Sequence, residues 1–479
     1  MKKMNLLVMS LVSAAALSFT SCSDSEDLAD NSQNKVDKFY MTLTVQTPTS
    51  NGTRTAQNNP QKASKEESYV TSGTFYLVDA NGKIAKSIPI NEQAWADAKG
   101  PQQDKDGKTT LQVPVENVTA GTKYSVYFLA NATSESPLTE VLTSNDKFAK
   151  AYSADNKFAM FNENDADVKA NSHTVVFTSD NKDANSPAKV SSTINIERLT
   201  ARIDEPKSEA TTIKNYDDVE NVKPTPEQKE ANAKALLAVK SLKLTSYAIS
   251  NVAKETNAMQ KWADATTLLI PTGITYFQPT TEFGTKTLLQ NYDYFHAVTT
   301  DKSLKDYVFE NNSKDAATSM YFEYTVELND DYKTNADFED GTFYRYNKVI
   351  YSRIQDIIDA YKDQKAIFNG QTKDAVVAEL KAAKADPDSE TKLDEFRKKY
   401  DIEVFNAGKT YYVQKIQDQY LGVENTIQRN SIYLLNVKNI FNVGAQVPNG
   451  GPDDRTLYYL EVEVSVNPWV LNSYDVNLQ

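Results

Sequence analysis

The sequence predicts a mainly β protein of two domains, with a helical insert in the second. Three observations carry that reading. Apolar residues alternate at a period of two in many short segments, the signature of half-buried strands. A polar, proline-containing stretch near 205–230 separates two groups of such segments. One stretch, 347–400, follows three- and four-residue spacing instead. The length of 479 residues also exceeds what one core usually organises and suggests two to four domains.

In chain order, Met1-Lys2-Lys3 is a short basic start, followed by an apolar run from Leu6 to Phe19. This describes a secretory signal, too short to span a bilayer as a helix. Phe19-Thr20-Ser21-Cys22 resembles a bacterial lipobox, with Phe at the first position in place of the commoner Leu. On that resemblance 1–21 is a lipoprotein signal and Cys22 the lipidated N-terminus, and buried acyl CH₂ groups each add about 0.8 kcal/mol of membrane attachment. The alternative is an ordinary signal peptide that contains a cysteine. The acidic run Ser23–Asp30 reads as a tether.

Phe39, Met41, Leu43 and Val45 alternate with Tyr40, Thr42 and Thr44, the first expected strand. A polar loop from Pro48 to Pro60 follows, with Arg54 as its sole basic residue. Further strands are expected at Ser72–Asp79, Thr109–Val115, Lys123–Asn131, Thr174–Thr178 and Thr193–Ile203. Asn81-Gly82 after the first of these is a strong hairpin signal. The polar segment 135–170 is expected to hold loops or short helices. The domain boundary is placed near 205.

Beyond it, the alanine-rich Glu227–Val239 reads as helix. Strands are expected at Leu242–Ile249, Met320–Leu328, Lys409–Ile416, Ser431–Ile440 and Leu457–Val466. Between them Val349, Ile350, Ile354, Ile357, Ile358 and Tyr361 mark the helical insert, continued by Lys373–Lys384 and Thr391–Tyr400.

The last strand is sharply patterned. Leu460, Val462, Val464 and Val466 fall on one face, and Glu461, Glu463 and Ser465 on the other. Pro468 cannot donate to a ladder and ends or bends it. Val470, Tyr474, Val476 and Leu478 then share one phase of a further extended segment. Two readings stay open: a strand completing its own sheet, or a strand offered to another molecule.

Composition narrows the chemistry. One Cys excludes a disulfide framework and Cys-based metal sites. His173 and His296 are the only imidazoles, so no His-rich metal cage can form, and no metal or other cofactor is expected. The net charge of -13 argues against nucleic-acid binding. Asp330-Asp331 and Asp453-Asp454 read as solvated turns, and no nucleophile elbow or phosphate-binding glycine loop occurs. An enzyme is not expected.

The order of motifs then matters. It runs through Cys22, Phe39–Val45, Arg54, Val126-Tyr-Phe-Leu-Ala-Asn131, Ile194-Asn-Ile-Glu-Arg-Leu-Thr-Ala-Arg202 and Arg429-Asn-Ser-Ile-Tyr433. It closes with Val462-Glu-Val-Ser-Val-Asn-Pro-Trp469. Together these resemble the major structural subunit of short, minor-type fimbriae, a type V pilus fimbrillin of Bacteroidetes-type bacteria. The resemblance is weakest over 135–170 and 347–400.

That resemblance implies two transthyretin-like β-sandwich domains, 55–205 and 206–479. It implies a lipidated propeptide, 22–54, removed by an Arg-specific surface protease, with Arg54–Thr55 as the matching bond. The first strand, Phe39 to Val45, leaves with the propeptide. The vacated groove takes a neighbour's C-terminal strand, 468–479, through Val470, Tyr474, Val476 and Leu478. Implied partners are identical subunits in a head-to-tail filament, anchor and tip subunits, and host or bacterial surface receptors. The mature chain keeps a net charge of -13, with 47 basic residues against 60 acidic ones. Repeated along a filament, that charge resists clumping. The alternatives are an accessory, tip or anchor subunit, or a surface glycan-binding lipoprotein using Trp95, Trp262, Trp469 and tyrosines as platforms.

Overall fold

The computed structural model describes residues 37–48, 66–98, 107–164, 169–220, 222–279, 294–363, 367–418, 421–448 and 460–468. The protein is mainly β. Its first strand, β1 (Lys38–Gln46), buries every second side chain, as the alternation requires. The other early elements are β2 (Gly73–Val78), β3 (Ile84–Ile90), α1 (Glu92–Ala98), β4 (Lys108–Glu116) and β5 (Lys123–Ala130). The β2–β3 hairpin turns through Asn81-Gly82, with Gly82 at φ 78°, a conformation glycine adopts without strain.

The same half contains β6 (Val141–Thr143), β7 (Met160–Asn162), β8 (Thr174–Val176), β9 (Ala188–Lys189) and β10 (Ile194–Arg198). The strand order is β9-β1-β10-β7-β5-β2-β3, with β4 on β1 and β8 on β5. The inner faces of β1 and β4 share one apolar cluster with Phe75 and Leu77 of β2 and Val126 and Phe128 of β5. The opposite faces of β2 and β5 are covered too. Tyr76, Tyr127 and Leu129 pack with Leu142, Phe161 and Leu199. The polar segment 135–170, expected as loops or short helices, thus includes strands β6 and β7 and supplies that cover.

The second half contains β11 (Ala201–Asp204), α2 (Pro226–Ala238), β12 (Val239–Ser250), β13 (Glu255–Asn257), β14 (Lys305–Val308) and β15 (Ser319–Leu328). Helix α2 starts where Thr225 and Gln228 cap each other, with Pro226 at its first position. After the insert come β19 (Lys409–Lys415), β20 (Ser431–Ile440) and β21 (Leu460–Pro468). Strands β12, β15 and β19 are neighbours in one sheet. Strand β20 runs between β11 and β21 in another. The two sheets enclose a core that includes Leu242, Phe322, Tyr324, Ile203, Tyr433 and Leu435.

Two expected elements are divided. Thr193–Ile203 is two strands, not one. β10 pairs with β1 and β7, whereas β11 pairs with β14 and β20. Leu199 turns into the outer cluster of the first half and Thr200 accepts a hydrogen bond from Asn430 N, so the chain changes sheets there. The helical pattern from Val349 also begins as a strand. β16 (Phe343–Tyr346) and β17 (Val349–Tyr351) form a hairpin whose turn residues Asn347 and Lys348 have φ of 47° and 67°. Helix follows only after extended Arg353, in α3 (Ile354–Ala360), α4 (Lys373–Ala385) and α5 (Ser389–Tyr400). The insert closes with β18 (Glu403–Phe405) on the other edge of β16.

Leu43 is about as buried as a side chain can be. Leu43→Ala should lower the unfolding free energy of the precursor by about 2–5 kcal/mol in urea titration.

Candidate functional site

Strand β1 is bonded along both edges. Its ladder with β4 is antiparallel from Lys38↔Glu116 to Gln46↔Lys108. On the other edge it runs parallel to β9 at Met41↔Ala188 and to β10 at Val45↔Ile194. Phe39, Met41, Leu43 and Val45 are at most 2% exposed. At roughly 1.5–3 kcal/mol each, their burial is worth on the order of 6–12 kcal/mol. The structure therefore brings all four expected strand residues together in one core. On the outer face Thr42 Oγ1 donates to Leu111 O at 3.1 Å, and the Thr44 and Thr110 hydroxyls meet at 2.9 Å. Cys22, Arg54, Thr55, Val470, Tyr474, Val476 and Leu478 lie outside the described residues.

Beyond the expected Arg54 loop, the chain is fixed at once by residues that the pattern of apolar positions did not mark. Glu66 O accepts Asn156 N at 2.8 Å. The buried Glu67 carboxylate takes Arg202 Nη1 at 3.0 and 3.1 Å and the Tyr307 hydroxyl at 2.7 Å, with Lys305 Nζ at 3.5 Å. Arg198 Nε donates to Glu67 O at 2.8 Å and its Nη2 to Ser68 Oγ at 3.1 Å. Asn131 then holds Tyr69 O and Thr71 N through its amide, at 2.8 and 2.9 Å. It does so from a left-handed conformation, φ 56°, which asparagine tolerates better than most residues.

Burial dominates the electrostatics here. It pulls the Arg198 guanidinium down to about 9, with the Glu67 carboxylate acting against that fall. Burial also opposes the charge of Arg202, but Asp204 and Glu67 outweigh it and raise its pKa. The Tyr307 hydroxyl is pushed up by burial and by the Glu67 carboxylate. A signal for the arginines was present. Arg198 follows Ile194 and Ile196 on the buried phase of a strand, and a charge on that phase requires partners. Nothing local marked Glu67.

Arg429 forms a second buried hub, with its Nε and Nη2 on Glu310 at 3.0 and 2.8 Å. Its Nη1 donates to Ala258 O at 2.9 Å. The adjacent Asn430 accepts Arg198 Nη1 at 3.0 Å. The motif arginines of the two halves thus meet at one junction. Strand β13 extends it by pairing with β6 of the first half.

The histidines have packing roles. His173 Nδ1 lies 2.8 Å from Ser192 Oγ, and burial lowers its pKa. His296 packs against Phe148 and Tyr247. Trp95 is buried and stacked on Phe128, and Trp262 donates to Asn164 O from a half-buried position. Neither forms an open platform, and Trp469 lies outside the described residues. Among the described residues no group of three or more His, Cys, Asp or Glu is placed to hold a metal ion.

Residues 403–475 match the family described as major fimbrial subunit protein type IV, fimbrillin, C-terminal. This chain resembles the fimbrillins. The matched stretch runs from β18 through β20 and β21. A comparison with curated proteins gives no match. Among solved structures, a putative cell adhesion protein from Parabacteroides distasonis is similar at 12% identity and a TM-score of 0.44, over 91% of this chain and 100% of that one. A fimbrilin from Porphyromonas gingivalis is similar at 14% and 0.44, over 90% and 98%. The fimbrial anchor protein of that organism is similar at 10% and 0.29, over 91% and 100%. The fimbrillin family is one of structural fimbrial proteins of the cell surface.

Glu67→Gln should cost about 1–3 kcal/mol, because Arg202 loses one of its two carboxylate partners in a buried site and keeps Asp204. Tyr307→Phe, which removes one hydrogen bond, should cost about 1 kcal/mol. Urea titration of the two variants side by side measures both.

Proposed function

We propose that this chain is a structural pilin that polymerises by protease-triggered strand exchange into a surface fimbria for adhesion and biofilm formation. The precursor is anchored in the outer membrane through lipidated Cys22. An Arg-specific surface protease cuts Arg54–Thr55, and segment 22–54 departs with β1. Two transthyretin-like domains, 55–205 and 206–479, remain. Val470, Tyr474, Val476 and Leu478 of the next subunit fill the groove, and the anchor and tip subunits bound the filament.

The observation that carries this reading is the position of β1. It is the first strand among the described residues, yet it is central in its sheet and supplies four core side chains. Its removal opens two bonded edges and an apolar trough, a site that only another extended segment satisfies. Such a contact is head-to-tail and does not close on itself, so it propagates.

Arginine placement supports the protease. Arg198, Arg202, Arg345, Arg397 and Arg429 are each at most 5% exposed. Arg353 is ion-paired to Asp356 at 2.6 Å. Among the described residues, Arg353 is the partly exposed arginine and the exposed cations are lysines, such as Lys83, Lys150 and Lys398, while Arg455 lies outside the described residues. A lysine-tolerant enzyme would find many sites on this surface.

After treatment with an arginine-specific endopeptidase, the precursor should form SDS-resistant ladders on gels. Arg54→Ala and a chain lacking 470–479 should both stay monomeric while folded; ladders from either variant would sink the strand-exchange reading. Mass spectrometry of the native digest should find a cut after Arg54 and none after the six arginines named above. A fragment beginning at 199, 203, 346, 398 or 430 would show that burial does not protect them.

A further inference from the structure

The helical insert has a core of its own, with Ile357, Val376, Leu380, Leu393 and Phe396 at its centre. It stands on the small sheet in which β16 lies between β17 and β18. That sheet faces two ways. Tyr344 and Val404 enter the core of the insert, while Phe343 and Phe405 stack on each other at 4.5 Å in the main core of the second half.

Arg345 occupies the middle strand of this base and is buried. Its Nε and Nη2 meet the two Glu403 carboxylate oxygens at 2.5 Å each. Its Nη1 donates to Val443 O at 2.8 Å and its Nη2 also reaches Gly444 O at 3.3 Å. The guanidinium lies 5.1 Å from the centre of the Phe405 ring. Only a planar fork can satisfy a carboxylate and two carbonyls in this way, and lysine cannot replace it.

The same short segment is held from other sides. Gln446 Oε1 accepts Val404 N at 2.7 Å. Tyr411 and Ala445 exchange both backbone hydrogen bonds at 2.9 Å. The Tyr412 hydroxyl donates to Asn442 O at 2.6 Å. At Gly444 a Cβ would collide with the Tyr411 carbonyl and come within 2.9 Å of the Tyr412 ring. The segment lies between β20 and β21, where the chain leaves one strand to return as the next.

We propose that the helical insert braces the C-terminal strand: Arg345 and Glu403 fix Asn442–Gln446 and so set the point from which the chain departs toward β21. The brace itself does not depend on polymerisation. Its value to a filament, a fixed origin for the segment that reaches the next subunit, rests on the strand-exchange reading.

Hydrogen exchange of the full-length precursor, read by mass spectrometry, tests it without any assembly. In Arg345→Lys, exchange at 442–446 and through β21 should accelerate about tenfold or more. Exchange in α4, α5 and the β1–β4 ladder should stay as in the wild type. Gln446→Ala, at a half-buried position, should give a smaller acceleration at 404, at 442–446 and through β21. If Arg345→Lys does not fold, this second variant decides alone. Unchanged protection at 442–446 overturns the proposal, and so does a loss spread evenly over both halves. Loss of protection with ladders still forming would leave the brace standing and count only against its role in assembly.

Discussion

Ile432 and Tyr433 are neighbours in β20, yet they bury into different cores. Ile432 packs with the first-half residues around Phe39 and Phe128, and Tyr433 with those around Leu242 and Phe322. The pleat of a strand makes this possible, because successive side chains point to opposite faces. Strand β20 is therefore a wall common to both halves. Leu434 and Tyr307 add to its first-half face, while Leu435 and Val437 line the other. Where β20 has apolar material on both sides, around Ile432 and Tyr433, little solvent reaches backbone or charge, so the polar groups there must find partners within the protein.

The arginines meet that demand. Arg198, Arg202 and Arg429 each use several donors at the ends of β10, β11 and β20, and their acceptors are Glu67, Glu310 and main-chain carbonyls. Arg202 is shared between Glu67 and Asp204, so removing either weakens its pairing without leaving it wholly unpaired. The same contacts give the two sides of the 49–65 stretch different characters. Downstream, directional polar contacts fix residues 66–71. Upstream, β1 is retained mainly by ladder bonds and apolar burial, which another strand of matching pattern can reproduce.

Much of this was legible in the sequence. Alternation located β1 and β4 within a few residues, since each has one face in a core, whereas β2, β5, β15, β19 and β20 showed as short apolar runs because much of both faces is buried. Spacing found α4 and α5. Reading failed where tertiary contacts overrode local pattern. The run Ile194–Ile203 reads as one strand, but its apolar phase shifts from Ile194 and Ile196 to Leu199, Ala201 and Ile203, where Leu199 and Thr200 carry the chain between sheets. Val349–Tyr351 fits a helical spacing, but the Asn347-Lys348 turn returns it along β16. Glu67 and Glu310 gave no local sign, because a buried carboxylate is recognised by an arginine more than a hundred residues away.

The nine residue pairs joining β20 and β21, from Ser431↔Pro468 to Ile440↔Leu460, have a mechanical meaning. Tension drawn along β21 past Pro468 acts parallel to the strand axis. The bonds then resist in shear, sharing the load, instead of opening one after another like a zipper. Yield would require many to fail together, so in the proposed filament a slender chain of such subunits would stretch under flow without coming apart.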